Sequence, residues 1–265
     1  MEKRQQMMET EGSFAGAANG VKHDESEVTG YARRFLDGKP AYLVNYYWWA
    51  YLWGFGVWLF DHQPIINAIL FGQYQKLMVA TMQRAALAPR ERVLQLTCVY
   101  GSLTPNLSKA IGDAPLHLTD VAEVQLALAR RKVAERGKLA PTRMNAEQLA
   151  YKTDAFSTVV LFFLLHEMPH AARVRTLAEA VRVIRPGGTL LVTEYAPQPL
   201  RHFLYRLLPF RAVLTRLEPF LAGFWGEDVE TILQKAAGDC GKKIHCSWQQ
   251  DVFAGFYRVS EYRLE

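Results

Sequence analysis

Residues 155–165 read Ala-Phe-Ser-Thr-Val-Val-Leu-Phe-Phe-Leu-Leu, a continuous apolar run of strand length. A strand without a polar face is buried on both sides, which is the environment of a parallel sheet covered by helices. The surrounding chain supplies the helices. Val93 to Cys98 is a short apolar strand, followed by a turn at Gly101 and Ser102 and a helical face of Leu103, Leu107, Ala110 and Ile111. Pro115–Asp120 is a second strand, followed by a helix from Val121 to about Arg136 with Val121, Val124, Leu128 and Val133 inward and Arg130, Arg131 and Lys132 outward. Ala140–Met144 is a third strand, and the run at 155–165 is the fourth. A helix over Ala171–Ile184, a turn at Arg185-Pro-Gly-Gly188 and a strand over Thr189–Glu194 come next. A helix near Glu227–Ala237 precedes two strands, Lys243–Trp248 and Phe253–Leu264, that form an antiparallel edge. This alternation predicts an α/β, doubly wound, mostly parallel seven-stranded sheet with right-handed crossovers.

Strand, tight turn, helix is the way an open α/β sheet presents backbone N–H groups to a ligand at the carboxyl end of its first strand. Such turns are glycine-rich so that the backbone can approach the ligand closely. Here only Gly101 remains, and Thr97, Val99 and Tyr100 stand where small residues are expected. An ordinary buried strand and turn is the alternative.

Upstream the chain changes character twice. Residues 1–29 are polar, with Phe14 their only aromatic, and are expected to be mobile. Tyr42–Phe60 carries no charge and ten aromatic residues, including four of the six tryptophans. Its length would just permit a membrane span, but Tyr and Trp favour the headgroup interface, and Gly54 and Gly56 weaken a helix. The segment packs on the core, lies in a bilayer interface, or lines an apolar ligand site. After Asp61-His-Gln-Pro64, the spacing of Ile65, Ile66, Ile69, Leu70, Tyr74, Leu77 and Met78 predicts one amphipathic helix to about Ala86. The domains expected are thus a flexible segment (1–29), an aromatic helical cap (30–88) and an α/β domain (89–265). Within the last lies a basic amphipathic insertion at about 197–225, where Arg201, Arg206, Arg211 and Arg216 alternate with apolar residues, and Pro209 and Pro219 divide the run into short helices. This is a solvated charged face or an interfacial element.

A formal charge of +5 suits an anionic membrane surface or ligand as well as nucleic acid, and no nucleic-acid partner is expected. Cys98, Cys240 and Cys246 are odd in number and lack metal-ligand spacing, which points to a reducing compartment without a disulfide framework. The first residues contain no apolar stretch, and Glu2, Glu9, Glu11 and Asp24 argue against a transit peptide.

The pattern over Ala86–Leu264 resembles a class I S-adenosylmethionine (SAM)-dependent methyltransferase with its Rossmann-like fold. The resemblance rests on the first strand and turn, Asp120, Asp154-Ala-Phe-Ser-Thr-Val and Arg185-Pro-Gly-Gly-Thr-Leu190, and is nearest the ubiquinone/menaquinone methyltransferase branch. Two stretches, Tyr47-Trp-Trp-Ala-Tyr-Leu-Trp53 and the turn ending Val99-Tyr100-Gly101, resemble the rhodoquinone-biosynthesis (RquA) family. That resemblance implies conversion of ubiquinone to rhodoquinone, an amino group replacing a ring methoxy group, with SAM as nitrogen donor and manganese required. The aromatic stretch at 42–60 and the arginines between 201 and 216 point to peripheral rather than spanning membrane association, expected on the cytoplasmic face of the inner membrane or the matrix side of a mitochondrial one. A conventional quinone or phenol methyltransferase, and a non-catalytic SAM-fold protein that docks on membranes, are the alternatives.

The resemblance implies a cofactor site at Gln95, Thr97, Val99, Gly101, Asp120, Val121, Asn145 and Ala146. Gln95 replaces an acid that holds the SAM ammonium. A carboxylate there raises the ammonium pKa, whereas a nitrogen nucleophile must be neutral, so Gln95 could position the group without locking its proton on. Asp120 can accept hydrogen bonds from ribose hydroxyls or serve as a helix N-cap, and Asn145 stands near the adenine or in a plain turn. His166 and Glu167, at the carboxyl end of the fourth strand, and Tyr100 on the turn are the catalytic candidates, His166 as proton carrier or else as a helix-capping or packing residue, and Tyr100 as a quinone or methionine contact or else as wall packing. For manganese the donor pool is Asp120, His166, Glu167 and Glu194, with no spacing that selects a set.

Overall fold

The computed structural model describes residues 37–133, 138–197, 199–200 and 202–265. The segment 1–29, residues 30–36 of the expected cap, Arg136 and Arg201 lie outside them.

Seven strands form one sheet: β1 (Val93–Leu96), β2 (Leu116–Asp120), β3 (Leu139–Arg143), β4 (Phe156–Phe162), β5 (Ile184–Tyr195), β6 (Ile244–Val252) and β7 (Tyr257–Leu264). Their order is β3-β2-β1-β4-β5-β7-β6. The first five are parallel, and β7 runs antiparallel to both β5 and β6. Every residue of β4 is buried, as its unbroken apolar run requires. The order reverses direction between β1 and β4, which opens a crevice at their carboxyl ends.

The helices are α1 (Ala41–Tyr47), α2 (Gly54–Phe60), α3 (Gln63–Ile69), α4 (Tyr74–Leu87), α5 (Leu103–Ala110), α6 (Glu123–Lys132), α7 (His170–Val183), α8 (Phe203–Arg206), α9 (Leu208–Leu217), α10 (Leu221–Trp225) and α11 (Val229–Asp239). A π-helical turn, Trp48–Leu52, joins α1 to α2, and a 3-10 turn, Leu165–Glu167, follows β4.

Three expectations are corrected. The single helix expected over 65–86 is two, because Phe71 and Gly72 take left-handed φ values of 51° and 75° between α3 and α4. The buried face of α6 is Gln125, Leu126 and Ala129. Val124 instead packs under the aromatic cap, and Lys132 turns inward to the Asp61 carboxylate. Strand β1 stops at Leu96, because Thr97 has φ 75°, a strained conformation for a β-branched residue.

The aromatic run folds back over the carboxyl ends of β1 and β2. Ala41, Val44 and Leu52 pack on Ala122, and the Tyr100 hydroxyl donates to Ala50 O at 2.5 Å. Gly56 makes this turn possible, since a Cβ there would lie 1.8 Å from Trp49 O. The run's inner side is core and cavity wall. Its outer side leaves Tyr46, Trp49, Trp53, Phe55 and Trp58 exposed.

Candidate functional site

Two cavities meet at the crevice. The first, about 70 Å³, lies beyond β1 and β2 and is lined by Thr97, Cys98, Asp120, Val121, Gln125, Met144, Asn145 and Ala146, with Tyr42, Leu43 and Tyr51 of the cap above. The second, about 270 Å³, lies under the cap and is mostly aromatic: Tyr47, Trp49, Tyr51, Phe60, Tyr74, Tyr100, Phe162, Phe163 and Tyr195. Tyr51, Cys98, Phe163 and Glu167 line both. The Tyr51 hydroxyl donates to Glu167 across that shared wall, and the Tyr51 ring stacks on Tyr100 at 5.5 Å and 10°.

Asp120 binds the ends of β1 and β2 together. Its Oδ2 accepts Cys98 N–H at 2.9 Å and its Oδ1 accepts Ala122 N–H at 2.7 Å. Burial pushes its carboxyl up to about 6, against these two N–H groups, which favour the anion. Burial and the neighbouring Asp120 hold the Cys98 thiol well above its ordinary range, so it is a thiol rather than a thiolate nucleophile. Asn145 Oδ1 accepts Glu147 N–H at 2.9 Å, the turn role weighed from sequence, and the residue still lines the first cavity.

The second cavity ends in a buried charged cluster. His166 Nδ1 lies 2.7 Å from Glu194 Oε1, a charge contact without hydrogen-bond alignment, and its Nε2 lies 4.0 Å from both Glu167 and Glu218. Glu194, at the end of β5, fixes the 3-10 turn by accepting Leu165 N–H at 2.9 Å. Tyr47 donates to Glu218 at 2.9 Å. Burial alone would lower the His166 pKa; Glu194, then Glu218 and Glu167, outweigh it and raise the group to about 9. Burial raises Glu167 to about 8, with His166 opposing and Glu218 adding to the rise. The wall therefore holds an imidazolium among carboxyls, able to give or take a proton near neutral pH.

The β1–α5 turn is closed to a ligand by its own neighbours. Gly101 N–H donates to Asp61 Oδ1 at 2.9 Å, Gly101 O accepts from Lys132 Nζ at 2.7 Å, and Lys132 also pairs with Asp61. The Tyr74 hydroxyl accepts Ser102 and Leu103 N–H at 2.8 and 3.1 Å.

Residues 93–188 match the family described as Methyltransferase domain. The SAM-dependent methyltransferase from Aquifex aeolicus covers 80% of this chain, and the match spans 98% of that one, at TM-score 0.51 and 16% identity. Magnesium protoporphyrin IX methyltransferase from Synechocystis PCC 6803, solved with bound SAM, covers 79% of this chain and 90% of its own at TM-score 0.53 and 17% identity. This is the class I SAM-dependent methyltransferase fold. Relatives in sequence include the ubiquinone/menaquinone biosynthesis C-methyltransferases UbiE of Bordetella parapertussis, 36% identical over 118 residues, and of Ralstonia nicotianae, 30% identical over 155. These matches cover 44% and 55% of this chain, which spans 45% and 63% of the length of those relatives.

In the class I methyltransferase fold the ligand lies across the carboxyl ends of β1 and β2. Thr97, Asp120, Val121, Asn145 and Ala146 gather there around the first cavity. Val99, Tyr100 and His166 face the second, and Glu167 faces both. Gly101 lines neither cavity, and neither does Gln95, whose Nε2 donates to Thr97 O and Thr104 Oγ1 at 3.0 Å each. The role in holding an ammonium expected for Gln95 is therefore replaced by one in holding the turn. Sequence reading did not single out Glu218, Tyr47 or Tyr51. A carboxylate beside Pro219 in an arginine-rich segment was the available sign of Glu218.

The donor set of the first cavity fits SAM. Each Asp120 oxygen accepts one N–H and keeps acceptor capacity for a ribose hydroxyl. Manganese finds no such fit: among the described residues no group of three or more His, Cys, Asp or Glu is arranged to hold a metal ion. The imidazole of His166 has its Nδ1 turned to Glu194.

Proposed function

We propose that this chain is a SAM-dependent transferase acting on the ring of a lipophilic quinone, and that its reaction converts ubiquinone to rhodoquinone: the SAM nitrogen bonds to the ring carbon as the methoxy group leaves as methanol, and the N–Cα bond of SAM then breaks with loss of a Cβ proton, leaving the amine on the ring. The observation that carries the reading is the pair of cavities sharing the Tyr51–Glu167 wall, one polar and at the cofactor position of the fold, the other aromatic and ending in His166, Glu167 and Glu218. Stacked rings suit a planar quinone, and the charged end suits its oxygens, whose proton demand changes during substitution. The altered turn is compatible with amination: its N–H groups at Gly101, Ser102 and Leu103 are bound internally, so they are not on offer to the amino-acid end of SAM.

Conventional C-methylation is the second reading, favoured by the names of the relatives. Mass spectrometry of a short-tailed ubiquinone incubated with the full chain and SAM separates the two. Exchange of methoxy for amino, with nitrogen label passing from SAM to the ring, supports the first. A methyl gain supports the second, and no product with SAM and quinone both bound overturns both.

A further inference from the structure

The aromatic cavity opens through a rim that is both apolar and exposed. Trp49, Ile69 and Leu217 line the cavity yet are 39%, 43% and 61% exposed. On the cap Phe55 and Trp58 are more than half exposed, and on α9 and α8 so are Val213, Leu208 and Phe203. Neither α8 nor α9 buries a single residue. Large apolar side chains left uncovered around one opening are uncommon on a monomer in water.

The charged residues of α8 and α9 are all arginines, and Glu218, next in the chain, lines the cavity and accepts from Tyr47. Residues 40–60 carry no charge. Arg206 and Arg216 are exposed, and Arg211 lies over the Tyr205 ring at 5.3 Å. Trp and Tyr with Arg around an apolar patch match the headgroup layer of a bilayer. No helix among the described residues is long and apolar enough to cross a membrane.

We propose that this face docks on an anionic lipid bilayer with the cavity mouth against the membrane, so that an isoprenoid quinone enters ring-first from the lipid and leaves its tail there. The identity of the entering molecule rests on the quinone reading above; the docking does not. Trp49 and Leu217 then contact the tail, Phe55 and Val213 insert beside it, and Arg206 and Arg216 meet headgroup phosphates.

Flotation with vesicles tests this without turnover. The full chain should float with vesicles of equal parts phosphatidylglycerol and phosphatidylcholine, much less with phosphatidylcholine alone, and should be released by high salt. Arg206→Glu with Arg216→Glu should weaken anionic binding roughly tenfold or more. Phe55→Ser with Val213→Glu should weaken binding to both vesicle types, while the melting temperature and turnover of a short-tailed, water-soluble quinone hold. Failure of the wild type to float, or flotation unchanged by both pairs of substitutions, overturns the proposal. So does light scattering that shows a dimer split by Phe55→Ser with Val213→Glu, since the face would then be a contact between two copies. Flotation without turnover of any quinone would overturn the quinone reading and leave the docking standing.

Discussion

The Tyr74 hydroxyl lies against Gly101 and holds the turn after β1 by three hydrogen bonds: it accepts from Ser102 and Leu103 N–H and donates to Tyr100 O at 3.1 Å. A Cβ on Gly101 would sit 2.5 Å from that oxygen, and Gly101 has φ 77°. The glycine of this turn thus makes room for a protein side chain, where a nucleotide fold usually makes room for a ligand. Gly101→Ala combines a left-handed strain with a buried clash and should cost about 2–4 kcal/mol. Tyr74→Phe leaves two buried N–H groups unpaired and should cost about 1–3 kcal/mol. Urea denaturation measures both. A Gly101→Ala protein as stable as the wild type would mean that Tyr74 does not occupy this space.

Lys132 and Asp61 clamp the same turn from α6 and the cap. Both side chains are mostly buried, 17% and 18% exposed, and between them they satisfy the N–H and the C=O of Gly101. Lys132→Met should cost about 1–3 kcal/mol, because it strands the Asp61 charge and a carbonyl. Adding Asp61→Asn should recover part of that loss, and a strictly additive double variant would show that the two do not interact.

The sheet was legible because its signals are local: an apolar β4, an Arg-Pro-Gly-Gly turn and helical spacing between strands each point to one element. The helix boundaries of the cap were less so, since Ile65–Met78 keeps helical spacing straight through the break at Phe71–Gly72. The residues gathered at the first cavity were readable from strand ends. The charged cluster was half readable. His166 and Glu167 announce themselves after β4, but Glu218 reaches them from a segment more than fifty residues away, and only the path of the chain reveals it. Lys132 read as solvent-facing because charge is normally outside; its partner, Asp61, lies 71 residues earlier.

Asp120 should be needed for SAM binding. Asp120→Ala should weaken it about ten- to a hundredfold in calorimetry, the effect of losing hydrogen bonds to a charged group. Because Asp120 also ties Cys98 to Ala122, the variant's melting temperature should fall as well. Asn145→Ala, which removes a turn bond to Glu147 and a polar side chain from the cavity lining, gives a second reading of the same cavity. Unchanged affinity in both variants would move SAM elsewhere.

The cluster ties stability to pH. His166 is raised from 6.5 to about 9 and Glu167 from 4.5 to about 8. Raised groups hold protons in the folded state that the unfolded chain releases, so their contribution is present at low pH and lost as pH climbs. From His166 the loss falls between about 6.5 and 9 and from Glu167 between about 4.5 and 8, with Glu167 titrating together with its neighbour Glu218, which burial also raises. The melting temperature should therefore drop from pH 6.5 to 9, and Glu167→Gln should flatten that drop. An equally steep decline in Glu167→Gln would place the titrating group elsewhere.

Gln95 decides between two accounts of the altered first strand. If its side chain faced the SAM ammonium, Gln95→Glu would add an attractive charge, tighten SAM binding and leave stability alone. The structure points its Nε2 at Thr97 O and Thr104 Oγ1, deep in the core with no exposure. A carbonyl oxygen can only accept, so an ionised glutamate at this position would bring a negative charge to an acceptor and lose the bond that holds Thr97 in its left-handed conformation. The protonated acid could still donate one bond. The buried carboxyl would be pushed up in pKa, and its protonated form would stabilise the fold at low pH and cease to do so as pH rises through that value. Gln95→Glu should thus melt near the wild-type temperature at pH 5 and progressively below it by pH 8. SAM affinity should fall in step, because the turn that borders the first cavity loosens. A melting difference independent of pH, together with tighter SAM binding, would return Gln95 to the ligand and reassign the turn's support to Thr104 and Tyr74.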